Sequence, residues 1–437
     1  MNWKGLRALS PMMVLVGLLL FFGFYYQGVS NAPMLFVFVV TAVVSVCVTK
    51  GTIRERIDVF SSGAGSKDLL LMVWIFMLAG AFAASAKEMG AANAMVEMTL
   101  RILPARFAVA GLFFAACITS LCMGTSVGTI VALMPIAGGL AERTGMLLPL
   151  VAAAVVGGAF FGDNLSFISD TTIVSTQSQG CQLSDKFRFN IRMVLPAAAV
   201  VGLIYVVMGY TAESAVLSSA SVQWWKVIPY LAVLVLAACG MNVLVVLVTG
   251  NMLTCVTGIA DGSYDFIRWT DSMLQGVAGM SELILISMLA GGIFAVINHN
   301  GGLEYVIAKI TRRVRSRAGA ETSICTLVAF ANICTANNTI AILSVGDIAK
   351  RISVRFGIDP RRSASLLDTT SCFVQGSLPY GAQLLMASGL AGISAVSIMP
   401  YLFYPYLLGL TVLVTIVISG RKTEAERPKQ KDIVCHQ

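Results

Sequence analysis

Gly157-Gly158-Ala159-Phe160-Phe161-Gly162-Asp163-Asn164-Leu165-Ser166, followed two residues later by Ser169-Asp170-Thr171-Thr172, is the stretch on which the fold turns. Glycines end an apolar run, and two carboxylates and several hydroxyls come at once. Backbone inside hydrocarbon must satisfy its own hydrogen bonds, so a helix breaks there only where the gap lines a cavity. An ionisable residue within a span costs at least about 2.5–3.5 kcal/mol and marks a functional site by default. The stretch reads as a broken membrane helix that carries a polar site. The competing reading puts Asp163 or Asp170 at a helix end in water, or as the cap of a half-helix.

The surrounding chain supports a membrane setting. It has 437 residues, of which 57% are hydrophobic and only 12% charged, against about a quarter charged in a soluble domain. Mean hydropathy is +0.83. Apolar runs cover 11–26, 33–49, 69–86, 105–121, 129–141, 147–161 and 193–210, then 225–239, 242–258, 282–297, 320–335, 338–349, 364–378 and 400–419. This pattern excludes a soluble enzyme, and the lipid bilayer is the first partner. The net charge of +8 belongs in loops on the cytoplasmic side and needs no nucleic acid. The cysteines have no metal or disulfide spacing, and the two histidines, His299 and His436, make no metal site. No resident cofactor is expected, and no ATP-binding motif is visible.

The two sets of runs invite a repeat test. Ala79-Gly80-Ala81-Phe82 resembles Ala290-Gly291-Gly292-Ile293, and Met123-Gly124-Thr125-Ser126 falls on Cys334-Thr335-Ala336-Asn337, each displaced by 211 positions, as Gly90 is from Gly301. Asp163 to Asp170 aligns with Asp368 to Gln375 as D-x-x-S-x-x-x-[D/Q]. The run 11–26 resembles a signal-peptide core, but its counterpart in the second half makes it part of the fold. Basic residues Lys4, Arg7, Lys50, Arg54, Arg56 and Lys67 flank the first two runs, and the turn 27–31 is uncharged. In the second half the equivalent of the basic loop, 259–282, is acidic, whereas 309–317 and 350–362 are basic. Equivalent loops thus face opposite sides, the mark of an inverted repeat. For the charge rule to hold, 225–258 must be two helices divided near Gly240-Met241-Asn242.

The expected architecture is an all-α polytopic membrane protein with two inverted-topology repeats, each holding a re-entrant helical hairpin and a broken transmembrane helix. Residues 1–210 form the first repeat, 211–223 an external linker, 224–420 the second repeat and 421–437 a cytoplasmic tail. Both termini are cytoplasmic, in the cell (inner) membrane.

Such transporters place paired breaks around a midplane site. The hairpin tips are Thr119 to Thr129, with Thr125 and Ser126, and Asn332 to Thr339, with Asn337 and Asn338. Their hydroxyl and amide oxygens suit a hard cation such as Na+, although small residues also serve simply to pack helices. The second pair of breaks holds Asp163, Asn164, Ser166, Ser169, Asp170, Thr171 and Thr172 in one half and Asp368, Ser371 and Gln375 in the other. Lys87, Glu88 and Asp347 read as surface charges.

Gly124-Thr125-Ser126-x-Gly128-Thr129 with Pro135, and Gly162-Asp163-x-Leu165-Ser166-x-x-Ser169-Asp170-Thr171-Thr172, resemble the paired motifs of NhaC-type sodium/proton antiporters. The resemblance spans most of the chain. It implies re-entrant hairpins, broken helices and elevator-like motion. Asn164 stands where the family commonly has a basic residue, Phe167 where proline is common, and the ending Pro379-Tyr380-Gly381-Ala382-Gln383 is a variant. The expected function is Na+/H+ antiport, with Asp163 and Asp170 binding either Na+ or protons. The alternative is a Na+- or H+-coupled carrier of a small carboxylate or amino acid. The chain is expected not to be an enzyme, its partners are Na+ and H+ or a small organic solute, and a homodimer is allowed.

Overall fold

The computed structural model describes residues 3–25, 33–102, 104–167, 169–210, 223–312 and 314–425. Most of the expected linker (211–222), the turn 27–31 and the end of the tail (426–437) lie outside the described residues. Helices account for the regular structure, and no strand occurs among the described residues.

In the first half, α1 (Trp3–Ala8) leads into α2 (Ser10–Tyr25) and α3 (Met34–Val48). Next come α4 (Ile53–Ala64), α5 (Lys67–Glu88) and α6 (Ala91–Ile102). A hairpin of α7 (Ala105–Met123) and α8 (Ser126–Thr144) precedes α9 (Leu148–Leu165), α10 (Asp170–Gln179) and α11 (Leu183–Gly209). The second half runs in the same order as α2 to α11. Its members are α12 (Trp224–Ala238), α13 (Val243–Ala260), α14 (Phe266–Gly279), α15 (Ser281–His299) and α16 (Gly302–Thr311). A hairpin of α17 (Arg317–Thr335) and α18 (Asn338–Arg355) follows, then α19 (Pro360–Gly376), α20 (Ala382–Ala391), the short α21 (Ala395–Ile398) and α22 (Phe403–Ala425). Among the described residues 7 helices, or up to 8 with the pair Ala382–Ala391 and Ala395–Tyr401 that bends by 100°, are long and apolar enough to cross a membrane. The chain is a multi-pass, all-helical membrane protein.

The expected division near Gly240 is present. α12 stops at Ala238, Gly240 takes a left-handed φ of 75°, and the Asn242 Oδ1 accepts from the Leu244 N–H at 2.9 Å to start α13. A side-chain cap of this kind satisfies one of the orphan donors at a helix start.

The halves interlock by exchange. α4 packs along α15 as α14 packs along α5. At both crossings the backbones meet at glycines: a Cβ on Gly63 would lie 2.5 Å from the Gly291 carbonyl oxygen, and one on Gly276 only 2.1 Å from that of Gly80. Small residues permit such close helix approach in a membrane, where packing rather than water exclusion drives association.

α9 is the enclosed centre, with every residue from Leu150 to Leu165 buried. It runs against α7, where a Cβ on Gly162 would lie 2.0 Å from the Ser120 Oγ. That contact brings the end of α9 up to the first hairpin tip and thereby places Asp163.

Candidate cation site

Both hairpins turn in the same way. α7 ends on Gly124 (φ 66°) and α17 on Ala336 (φ 50°), and each donates its N–H back to a carbonyl one turn earlier, Ser120 at 2.9 Å and Asn332 at 2.8 Å. Thr125 and Asn337 then extend, with φ of −143° and −144°, before α8 and α18 begin. Ala336 is the one non-glycine residue with a positive φ among the described residues. Left-handed backbone is costly for a residue with a Cβ, and such strain gathers at functional sites.

The first broken helix parts between Leu165 and Asp170. Ser166 leaves the helix in extended conformation and its Oγ donates to the Leu121 carbonyl at 2.9 Å, tying the break to the first hairpin. The Thr171 and Thr172 hydroxyls reach back to the Asp163 carbonyl at 3.2 and 3.1 Å. They meet one of the carbonyls that a helix end leaves open. The second break lies between Gly376 and Ala382. There the Gln375 Nε2 donates to the Ala336 carbonyl at 2.7 Å and to the Gln383 Oε1 at 3.0 Å, and the Gln383 Nε2 donates to the Ser126 Oγ at 2.9 Å. One network therefore joins both tips and the second break.

All four segments meet at a cavity of about 140 Å³, walled on one side by Leu71, Met72 and Ile75 of α5. Asp163 lines it, is 4% exposed, and accepts the Ser126 N–H at 3.1 Å. That N–H is at the start of α8, where the helix dipole favours a carboxylate. Thr125, Ser126, Ser169, Asp170, Thr171, Asn337, Asn338 and Gln375 also line the cavity. The Gln375 Oε1 is buried without a hydrogen-bond partner. A hard cation is held by oxygen ligands, and carboxylate, hydroxyl and amide oxygens converge here.

Asn164, Ser166, Thr172, Asp368 and Ser371 do not line this cavity. Asn164 and Thr172 are buried at the back of the break, and the Asn164 Nδ2 is bonded to the Phe160 carbonyl at 3.0 Å. Ser166 points to the hairpin, and the Ser371 Oγ donates to the Asp368 carbonyl at 2.9 Å. Asp170 is exposed, unlike Asp163, so the two carboxylates are not a matched buried pair. The Asn337 Oδ1 accepts from the Ile340 N–H at 3.0 Å and so serves as a helix cap.

The cavity holds Asp163 but not its sequence match Asp368. α9 and α19 both open with proline in the first turn, and counting from those starts sets Gln375, not Asp368, against Asp163. Asp368 lies seven residues before Gln375 on α19. Seven residues are two helical turns, so the false match keeps the same face and slides along it.

Three residues of the site region escaped the sequence reading. Lys186 and Asn190 sit in a charged segment outside the apolar runs. They nevertheless continue the buried stripe of α11 with Met193, Val194 and Ala197, and that spacing was the available signal. Gln383 lay within the variant ending and had no periodic cue. Among the described residues no group of three or more His, Cys, Asp or Glu side chains gathers to hold a metal ion.

Comparison with known proteins completes the picture. The sequence pattern of the Na+/H+ antiporter family matches residues 6–210 and 211–420. A malate-2H+/Na+-lactate antiporter of Bacillus subtilis (strain 168) is 23% identical over 387 residues, covering 80% of this chain and 81% of its own length. The Na+/H+ antiporter NhaC of Alkalihalophilus pseudofirmus is 23% identical over 342 residues, 70% of this chain and 72% of its own. Among solved structures, the YdaH transporter of Alcanivorax borkumensis is 14% identical, with a TM-score of 0.43 over 88% of this chain and 96% of that one.

Proposed function

The chain belongs to the Na+/H+ antiporter family, and from that premise we propose that it exchanges Na+ for H+ at the cavity between the hairpin tips, with Asp163 as the carboxylate that holds either ion. The observation that carries this reading is the buried Asp163, which accepts from a helix N-terminus and shares the cavity with Gln375, whose Oε1 is unpartnered. A carboxylate that binds Na+ through its oxygens cannot also carry a proton on them. That exclusion couples the two fluxes without further machinery. Asp170 adds a second negative charge to the wall, and Thr125, Ser126, Ser169 and Thr171 supply neutral oxygens. Na+ is cargo here, not a resident cofactor.

The two halves, 1–210 and 224–420, act as inverted repeats, and access alternates as one part of the molecule moves against the other around the site. Both termini and the basic loops 309–317 and 350–362 face the cytoplasm, following the charge rule. A second reading has its own support. α8 and α18 both direct helix N-termini at the cavity, and such termini bind anions. A relative named for malate and lactate exchange fits a Na+- or H+-coupled carboxylate carrier.

Reconstituted vesicles with an internal pH dye separate these readings. Na+ gradients should drive proton movement and K+ gradients should not, with Arg315→Cys reachable by a label only from the face that carries the termini. Proton movement that requires lactate or malate besides Na+ would favour the carrier. No response to any cation or organic acid would reject both.

A further inference from the structure

Lys186, on α11, is wholly buried, and so is its partner Asp368 on α19. The Lys186 ammonium donates to the Thr172 Oγ1 at 2.6 Å, to the Asn164 carbonyl at 3.3 Å and to the Asp368 Oδ2. An ammonium has three donors, and all are used. The ligands are a carboxylate, a hydroxyl and a carbonyl freed at the end of the half-helix α9. Half-helix ends and unwound carbonyls of this kind hold Na+ in broken-helix transporters, and the negative end of the helix dipole favours a cation there. Asn164 and Asn190, which meet at the carbonyl that the lysine uses, carry two further oxygens that no donor meets. The Asn164 Oδ1 and Asn190 Oδ1 are buried without partners, while the Asn190 Nδ2 donates to the same Asn164 carbonyl at 3.1 Å.

The geometry points to a second cation site, built from Asp368, Thr172, Asn164 and Asn190, that this protein keeps filled with its own lysine. The inference rests on the reading that the break at Asp163 is the transport site. The tethered ammonium neutralises the carboxylate of the second half. The transported ion is thereby left to the Asp163 side alone. A carboxylate buried without its cation would be strongly unfavourable, so a soluble ion is drawn in wherever the tether is removed.

The full-length protein in detergent tests this with radiolabelled Na+ and with thermal unfolding in Na+ against choline. The wild type is expected to bind one Na+. Lys186→Ala is expected to bind two and to gain more thermal stability from Na+ than the wild type does. Lys186→Arg keeps the tethered charge and should bind one, and Lys186→Ala with Asp368→Asn should return to one. A folded Lys186→Ala that still binds one Na+, or that is stabilised by Na+ no more than the wild type, overturns the inference. Failure of Lys186→Ala to fold in Na+ also overturns it, because Na+ should replace the ammonium. Absence of Na+ binding in the wild type would instead reject the transport reading on which it rests.

Discussion

Asp163→Asn is expected to abolish Na+-driven proton movement in reconstituted vesicles while leaving the protein folded. The amide matches the carboxylate in size, and its Oδ1 can still accept the Ser126 N–H that the carboxylate accepts at 3.1 Å. The packing of α9 is therefore kept. What disappears is the negative charge that draws Na+ and the group that takes the proton. Asp163 is buried, so no water-facing neighbour stands in for it at the same point. Asp170→Asn is the control. Asp170 lines the same cavity from an exposed position at the start of α10, and its loss should weaken Na+ affinity with turnover retained at high Na+. Exchange at the wild-type rate in Asp163→Asn would remove this residue from the mechanism.

Arg362→Met is expected to produce the largest loss of stability. Glu321 is wholly buried at the start of α17. The Arg362 guanidinium grips it with two hydrogen bonds of 2.6 and 2.7 Å and donates besides to the Thr415 carbonyl of α22 at 3.0 Å. Planar two-point pairing is the strongest arrangement open to such ions. Arg317 stands further off, 3.7 Å from the same carboxylate. Removing Arg362 leaves a buried charge short of its main partner, which costs about 3–5 kcal/mol. The consequence reaches the site, because α17 and α19 carry Ala336 and Gln375 at their far ends. Denaturant unfolding in detergent reads the loss. Adding Glu321→Gln should restore much of it, since the uncompensated charge is then gone; a double variant as unstable as Arg362→Met would show that the arginine acts by packing alone.

Much of this architecture could be read from residues. The small, hydroxyl-rich tips and the glycine-to-aspartate transition at Gly162-Asp163 announce broken backbone, because each interrupts an apolar run with groups that hydrocarbon does not tolerate. The structure brings Thr125, Ser126, Asp163, Ser169, Asp170, Thr171, Asn337, Asn338 and Gln375 to one cavity. What could not be read was depth. The D-x-x-S pattern is met at Asp368, whereas Gln375, which lines the cavity with Asp163, stands two turns further along the same face of α19. The charge balance was hidden for a related reason. Lys186 lies among Asp185, Arg188 and Arg192 in the sequence, and only the helical spacing of buried neighbours separates it from a solvated basic stretch. Long-range pairing, such as Lys186 with Asp368, leaves no local trace at all. The Asn337 amide shows the same limit on a smaller scale, since a polar tip residue can face a cation or cap its own helix and the sequence is identical in both cases.

In the mechanism proposed above, one cation is held by residues from both halves at once. Thr125 on the first tip and Gln375 at the second break come from opposite halves and line the same cavity. The decisive measurement is the Na+ concentration for half-maximal exchange in Thr125→Val, Gln375→Leu and the double variant. Each single change should raise it by about tenfold, the equivalent of ~1.4 kcal/mol, and the double change by clearly less than the product, because both groups touch one ion. Effects that multiply independently, or half-saturation that moves in neither single variant, would contradict a shared site.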